Sequence, residues 1–467
     1  MQATTEKENL NNVTAIPSVD LMLLKAADLV STFGRTRIVE AVRQSLDELR
    51  TELISGEHLT ATREDLARIA LERVASSLDS SRSARLRLVI NATGVIIHTN
   101  LGRAPMSEDA VNALVEVARG YSNLEFDVAE GVRGKRGADV ESLVCQLIGA
   151  EAAIIVNNCA AAAFFVLSAF AQGGEVIVSR GELVEIGGDF RVPDVLERSG
   201  ATLREVGTTN RTKAADYAKA VSEATKMILR VHPSNYRIVG FTAAPSIDEL
   251  VAVARENNVV LFEDIGSGAI ANVANYGVTD EPSPVESIKA GVDIVAFSGD
   301  KLLGGPQSGI IAGRGELIDK LRKHPLYRAL RVDKLTLAAL GATLDPYIRG
   351  TETDEIPVIR MLATTADEIK SRAEQFIESL ASNTSLTFEI IEGTSAIGGG
   401  SAPTSHPKTW LIAVSKAQTS ADSLAANLRA NDPPIITRIE NDRVLIDLRT
   451  VSERNVDEIS NALNSFS

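Results

Sequence analysis

The chain has 467 residues, more than one compact core holds, so two or three domains are expected. Its net charge of −14 argues against a protein that coats nucleic acid or an anionic membrane, since phosphate binding needs local positive charge. Aromatic residues make up 4% of the chain, which predicts an aliphatic core, and the two cysteines, Cys145 and Cys159, are too few for a disulfide framework; a reducing, cytoplasmic setting fits them.

Residues 1–17 are polar, lack an apolar signal core and read as a disordered tail. Residues 18–87 read as a small helical domain. Leu21, Leu23, Leu24, Ala27 and Val30 form one apolar stretch. Ile38, Val42, Leu46 and Leu49 recur at helical spacing, as do Leu66, Ile69, Ala70 and Val74, with Gly34 and Gly56 as separators. Residues 88–335 change texture. Short β-rich runs at Ala152–Val156, Glu175–Ser179, Leu203–Val206, Met227–Val231, Val259–Phe262, Asp293–Ala296 and Gly309–Ala312 alternate with helical stretches. That alternation predicts a large α/β domain with a mainly parallel sheet. The last two runs are close together, which suits an antiparallel pair. The apolar run Cys159–Ala171 is too short to span a bilayer and is expected to be a buried helix. Residues 336–467 read as a smaller α+β domain, with strands at Phe388–Ile391, Trp410–Val414, Ile435–Ile439 and Arg443–Leu448 and a closing helix at Val456–Leu463. Gly398–Ser401 reads as a loop.

Three features in the α/β region carry chemistry. Asn157-Asn158-Cys159-Ala160-Ala161 follows a strand and opens a helix, whose N-terminus offers unpaired N–H groups and a positive dipole end to a phosphate. Val259 to Asp264 is an apolar strand ending in a carboxylate, placed to keep the ring nitrogen of pyridoxal 5′-phosphate (PLP) protonated. Phe297-Ser298-Gly299-Asp300-Lys301-Leu302-Leu303-Gly304-Gly305-Pro306 follows another strand, and Lys301 is the candidate for the Schiff base with PLP and for the base that takes the Cα proton. Ser298 is a further candidate for the cofactor phosphate. Each feature alone is ordinary: a tight turn, a cap carboxylate, a solvated lysine. Their order at strand ends points to a PLP enzyme of the aminotransferase-like α/β fold, with Lys301, Asp264, Asn158, Cys159, Ala160 and Ser298 at the cofactor and no residue assigned to a metal. His98 and His232 lie near strand ends and line the pocket or serve the core. Arg180, Glu182 and Glu185 are expected near the ring, as stacking groups or as fold support. Cys145 and Cys159 read as small buried apolar residues rather than nucleophiles. Two other readings stand beside this one: a PLP enzyme acting on a free amino acid, and an idle RNA-binding scaffold, against which an intact Lys301 and Asp264 argue.

At these residues the sequence resembles the bacterial L-seryl-tRNA(Sec) selenium transferase, or selenocysteine synthase, family, from about Ser18 to the C-terminus. The resemblance is carried by Ile90-Asn-Ala-Thr-Gly-Val95, His98-Thr-Asn-Leu-Gly-Arg103, Val178-Ser-Arg-Gly-Glu-Leu-Val-Glu-Ile-Gly-Gly188, Glu205-Val-Gly-Thr-Thr-Asn-Arg-Thr212, Ser298-Gly-Asp-Lys-Leu-Leu-Gly-Gly-Pro-Gln307 and Arg328-Ala-Leu-Arg331. Ile16-Pro-Ser-Val-Asp20 looks like the start of that family's helical domain. Cys159 departs from it, standing where a third Asn is expected. The resemblance implies a fold-type I PLP enzyme that converts seryl-tRNA(Sec) to selenocysteinyl-tRNA(Sec) with selenophosphate, by β-elimination to aminoacrylyl-tRNA and selenium addition. Asp300 or Lys301 supplies the proton for the departing hydroxyl. Arg103, in a glycine-containing turn after a strand, and Arg328 and Arg331, which share a face if helical, form the implied anion pocket. A homo-oligomeric ring of dimers, a decamer, is implied, and so is a tRNA grip by the N-terminal domain, for which Arg35, Arg37, Arg43 and Arg50 are candidates. Neither DNA nor a membrane is an expected partner.

Overall fold

The computed structural model describes residues 15–55, 61–83, 86–187, 190–380 and 385–466, which fall into two compact units, residues 1–88 and 89–467. The first unit is helical: α1 (Val19–Lys25), α2 (Ala27–Phe33), α3 (Arg35–Ser55) and α4 (Arg63–Ser83). Ser18 caps α1 by accepting the Leu21 N–H, and Asp20 adds a negative charge to its first turn. The apolar stretch expected over Leu21–Val30 is split at Ala26, a break that apolar spacing does not encode. Gly34, with φ 83°, ends α2. Ile38, Val42, Leu46, Leu49 and Leu53 of α3 are buried with Leu66, Ala67, Ala70, Val74 and Leu78 from the α4 side, one apolar stripe against another. Gly56 and most of the expected tail lie outside the described residues.

The second unit is built on a seven-stranded sheet. In chain order its strands are β1 (Ala152–Val156), β2 (Glu175–Ser179), β3 (Thr202–Val206), β4 (Thr225–Val231), β5 (Val260–Gly266), β6 (Ile294–Ser298) and β7 (Gly309–Gly313). Their spatial order is β1-β7-β6-β5-β4-β2-β3. Strand β7 runs antiparallel to both β1 and β6, and every other pair is parallel. Both faces are covered, so successive residues enter opposite cores: Ala153, Ile155, Val295, Phe297 and Ile310 pack on one side, Ile154, Val156, Ile294, Ala296 and Ile311 on the other. Strand β5 extends past the apolar run, because it is hydrogen-bonded on both sides, and Asp264 sits just before an irregularity in its register with β6. Helix α5 (Cys159–Phe170) follows β1 and buries Ala162, Ala163, Phe165, Val166 and Leu167. Among the described residues no helix is long and apolar enough to cross a membrane.

Two helices after the sheet, α6 (Pro325–Leu330) and α7 (Lys334–Arg349), lead away from it, and Leu337, Leu340 and Leu344 of α7 join the core on the first face. A second, fully antiparallel sheet comprises β8 (Leu386–Thr394), β9 (Lys408–Lys416), β10 (Arg438–Glu440) and β11 (Arg443–Asp447), in the order β8-β9-β11-β10. The strand expected at Ile435–Ile439 divides there: Ile435–Ile436 instead pairs in parallel with Ile90–Asn91, from the far end of the unit. Around that junction lies a buried polar network. Arg449, 3% exposed, donates to Ser395 Oγ and to the carbonyls of Met361, Thr364 and Lys408. Asp447 accepts from Ser395 (2.7 Å) and Thr409 (3.0 Å), while Thr450 Oγ1 donates to Asn91 O and accepts the Gly94 N–H. These bonds fix the segment that runs into His98 and Arg103.

Candidate active site

The carboxyl ends of the parallel strands converge on one place. Register pairs Asp264 of β5 with Val231 of β4 and Ala296 of β6. The loop after β6 is cramped: Gly304 and Gly305 donate back to Lys301 O (3.0 Å) and Gly299 O (2.8 Å), and Leu302 donates to Ser267 O (3.0 Å). Within it Lys301 is 6% exposed, and among the described residues no hydrogen bond or ion pair holds its amine. The Cys159 thiol donates to Asp264 Oδ1 at 3.4 Å. Burial pushes Asp264 up to about 6, against the Cys159 hydrogen bond and the Lys301 charge, which pull it down. Burial, and the Asp264 charge after it, push the Cys159 thiol well up; burial likewise raises Cys145. Neither cysteine is activated as a thiolate.

Ser298, 3% exposed, ends β6 opposite Gly309 of β7. A Cβ at Gly309 would lie 2.2 Å from Asn158 O, so the close approach of β7 to the β1–α5 turn requires glycine there. Asn158 caps α5, its Oδ1 accepting the Ala161 N–H at 2.8 Å. Cys159 and Ala160 then supply first-turn N–H groups that have no acceptor within the helix.

Asp300, 5% exposed, pairs through Oδ2 with Arg103 Nη1 at 2.6 Å, while Oδ1 is buried without a partner among the described residues. Arg103 stands at φ 67° in a turn closed by its N–H on His98 O (2.9 Å); the segment before it makes isolated bridges rather than the strand expected there. It lines an open cleft of about 380 Å³ with Thr99, Met106, Asp300 and Gln307. Burial lowers His98 below the ordinary histidine value.

The other two arginines lie elsewhere. Arg328 is exposed in the last turn of α6. Arg331 is not helical: α6 ends at Leu330, and Arg331 takes extended backbone, φ −62° and ψ 143°, to bridge Val156 at the end of β1. The shared helical face therefore does not form. The Arg331 guanidinium rests on Glu125 (3.5 Å), which also takes Arg133 and Arg136 at 3.2 Å each. Those contacts, Arg136 foremost, hold Glu125 below the usual carboxylate range. The sequence does not single out Glu125 or Arg136, since what joins them to this place, Arg331 and the Val332 carbonyl, lies 206 and 196 positions away.

Glu182, 6% exposed, pairs with Arg230 (3.3 Å) and accepts the Val231 N–H (3.1 Å), and burial pushes it up to about 7. Arg180 and Glu185 are exposed and paired with Glu205 and Arg191. His232 meets Glu281 at 3.4 Å, and Glu281 also takes the Ala402 N–H, tying the Gly398–Ala402 loop to the sheet. Burial pushes Glu281 up, but its bonds to His232 and its other donors outweigh it and leave the carboxyl below its ordinary value. In the first unit, Arg35, Arg43 and Arg50 are exposed on α3, Arg50 pairing with Asp47, and Arg37 lies over the Phe33 ring.

The main sheet and its flanking helices share their fold with the structure of D-glucosaminate-6-phosphate ammonia-lyase, at a TM-score of 0.57 and 22% identity over 83% of this chain and 97% of that one. The architecture is the aminotransferase-like, fold-type I α/β fold, with a lysine and a carboxylate on neighbouring strand ends. Residues 89–452 match the family profile described as L-seryl-tRNA selenium transferase, and residues 15–50 match selenocysteine synthase N terminal. An L-seryl-tRNA(Sec) selenium transferase from Geobacter sulfurreducens is 46% identical over 457 residues, 97% of this chain and 98% of that protein. One from Hyphomonas neptunium is 46% identical over 94% of this chain and 96% of its own length. The chain belongs to the L-seryl-tRNA selenium transferase family.

Proposed function

We propose that this chain converts L-seryl-tRNA(Sec) to L-selenocysteinyl-tRNA(Sec), with selenophosphate as the selenium donor and PLP held at Lys301. Family membership supports the overall reaction. The observation that carries the chemistry is a lysine amine, 6% exposed and unpaired among the described residues, whose charge acts on the raised carboxyl of Asp264.

The residues fit the cofactor. A desolvated amine suits attack on an aldehyde. A carboxyl without a cation bonded to it suits a protonated ring nitrogen, whose charge would return Asp264 to its anionic form. The first turn of α5 suits a phosphate. Bare backbone at Gly266 and Gly400, where an added Cβ would stand 3.8 Å from Lys301 Nζ, leaves room beside the amine.

Bound there, PLP supplies an electron sink for charge developing at the substrate Cα. Lys301 holds the cofactor and takes the Cα proton at Nζ. Asp264 would pair with the ring nitrogen. Asn158 fixes the helix turn whose Cys159 and Ala160 N–H groups, with Ser298, take the phosphate. Asp300 or Lys301 delivers the proton to the departing seryl hydroxyl. Arg103, in the cleft beside Asp300, holds selenophosphate, and Arg328 and Arg331, which lie apart from it, are further anion-binding candidates, Arg331 by exchanging Glu125 for the incoming anion. Residues 18–87 grip the tRNA through local contacts with its shape, as the acidic balance of the chain requires. The large catalytic region spans residues 88–335 and the smaller one 336–467. The protein works in the cytoplasm as a homo-oligomeric ring of dimers, a decamer.

The test is a reaction of purified protein with seryl-tRNA(Sec), selenophosphate and PLP, followed by analysis of the esterified amino acid. Selenocysteine is the expected product, and turnover of free serine in place of the ester would overturn the proposal. Arg331→Ala is expected to keep the visible absorbance of the PLP-loaded protein and lose selenium transfer; normal transfer would remove Arg331 from the anion pocket.

A further inference from the structure

The segment after β4 is tied down almost atom by atom. The Val231 N–H donates to Glu182 (3.1 Å), the His232 N–H to Asp264 O (3.0 Å) and the Asn235 amide to Glu185 O (2.8 Å). The Tyr236 hydroxyl donates to Gly181 O, and the Ser234 N–H to His232 O (2.8 Å), closing a tight turn across Pro233. The Ser234 hydroxyl stands apart. Its residue is 2% exposed, yet among the described residues its Oγ has no hydrogen-bond partner. A buried hydroxyl left unpaired costs free energy, and a chain that holds it in place so firmly implies a partner that arrives from outside.

Gly400 shows what that hydroxyl borders. A Cβ on Gly400 would lie 3.5 Å from Ser234 Oγ and 3.8 Å from Lys301 Nζ, so hydroxyl and amine face the same bare space. The glycines before it are filled differently: a Cβ on Gly398 or Gly399 would strike Val95 or Ile97 at 2.6 and 2.3 Å. Those two seat the loop, and Gly400, at φ 71°, turns its side-chain-free edge to the amine. The Ala402 bond to Glu281 and the Ser401 N–H on Gly398 O (3.1 Å) keep it there.

We propose that Ser234 is a further contact residue of this site, its hydroxyl bonding an oxygen of the reactants held at the Lys301 amine: the ring hydroxyl of PLP or the seryl hydroxyl of the aminoacyl ester. The proposal rests on the reading of Lys301 as the cofactor lysine. Both oxygens offer a hydrogen-bond acceptor, and they are separable by experiment.

The test uses the full-length protein as wild type, Ser234→Ala and Ser234→Thr. Without PLP, Ser234→Ala is expected to melt at or above the wild-type Tm, since it removes an unpartnered group. With PLP, contact to the ring oxygen moves the midpoint of the pH titration of the visible band by about one pH unit. Contact to the seryl hydroxyl leaves that titration in place and lowers kcat/KM for seryl-tRNA(Sec) by about tenfold. In either case Ser234→Thr, which keeps the hydroxyl, recovers most of the effect. A lower Tm without PLP, with both loaded readouts within about twofold of wild type, marks a structural serine and overturns the proposal, as does a variant indistinguishable from wild type throughout. A wild-type chain that develops no visible band with PLP overturns the cofactor reading first, and this proposal with it.

Discussion

Two places in the second unit bury charged and polar side chains and treat them in opposite ways. Around Arg449 the guanidinium meets four acceptors, and Asp447 accepts two hydroxyls and the Arg449 N–H. Around Lys301 the amine, the Ser234 hydroxyl and Asp300 Oδ1 have no partner among the described residues. Each place sits at a strand end, so burial alone does not separate them. Satisfaction does: a network complete within the chain is structural, and one that stays incomplete waits for a ligand.

Substitutions sharpen or break that contrast. The largest effect is expected for Lys301→Ala, which should abolish both the visible band with PLP and selenium transfer in the product assay, by a factor of roughly 10³ or more, while leaving the melting curve near wild type. Arg449→Ala should do the reverse, costing about 3–5 kcal/mol in urea denaturation because Ser395 Oγ and three carbonyls lose their donor and buried Asp447 loses the neighbouring charge. A loss below about 1 kcal/mol would break the distinction.

Asp264→Asn comes next. Because folding raises the Asp264 pKa from 3.8 to about 6, the native state favours the protonated form; wild-type stability is fully present below pH 4 and falls as pH rises toward 6. The asparagine variant has no such slope, so the cofactor-free chain should be stabilised by roughly 3 kcal/mol at pH 8, with activity lost. An equal stability difference at pH 4 and pH 8 would refute the raised carboxyl. The smallest effect belongs to Cys159→Ala: it removes a hydrogen bond that lowers Asp264, and should move the fall in stability to higher pH by less than about one unit.

Much of this architecture is legible without coordinates, because its signals are local. The central strands are short and, apart from the edge strand β3, rich in Val and Ile; the proximity of the β6 and β7 runs anticipates their antiparallel pairing, and Lys301 lies in a glycine-rich loop directly after a strand. What stays hidden depends on distant partners. Arg331 leaves its helix to bridge Val156, and Ile435–Ile436 pairs with a strand more than 300 residues upstream. Ser234 looks like any turn serine until Gly400 is folded over it from the C-terminal region. The Gly398–Ser401 run signals a loop, but no residue spacing tells which amine that loop will cover.

The parallel pairing of Ile90–Asn91 with Ile435–Ile436 also bears on how the protein is made. Gly94 and Asn91 find their bonds on Thr450, separated from them by 356 and 359 positions, so the start of the segment that presents His98 and Arg103 lacks these anchors until position 450 has been made. A nascent chain halted short of position 450 already holds Asp300, which pairs with Arg103, yet lacks the Thr450 bonds that seat the start of the segment. The pocket is whole only once position 450 has been made and folded back.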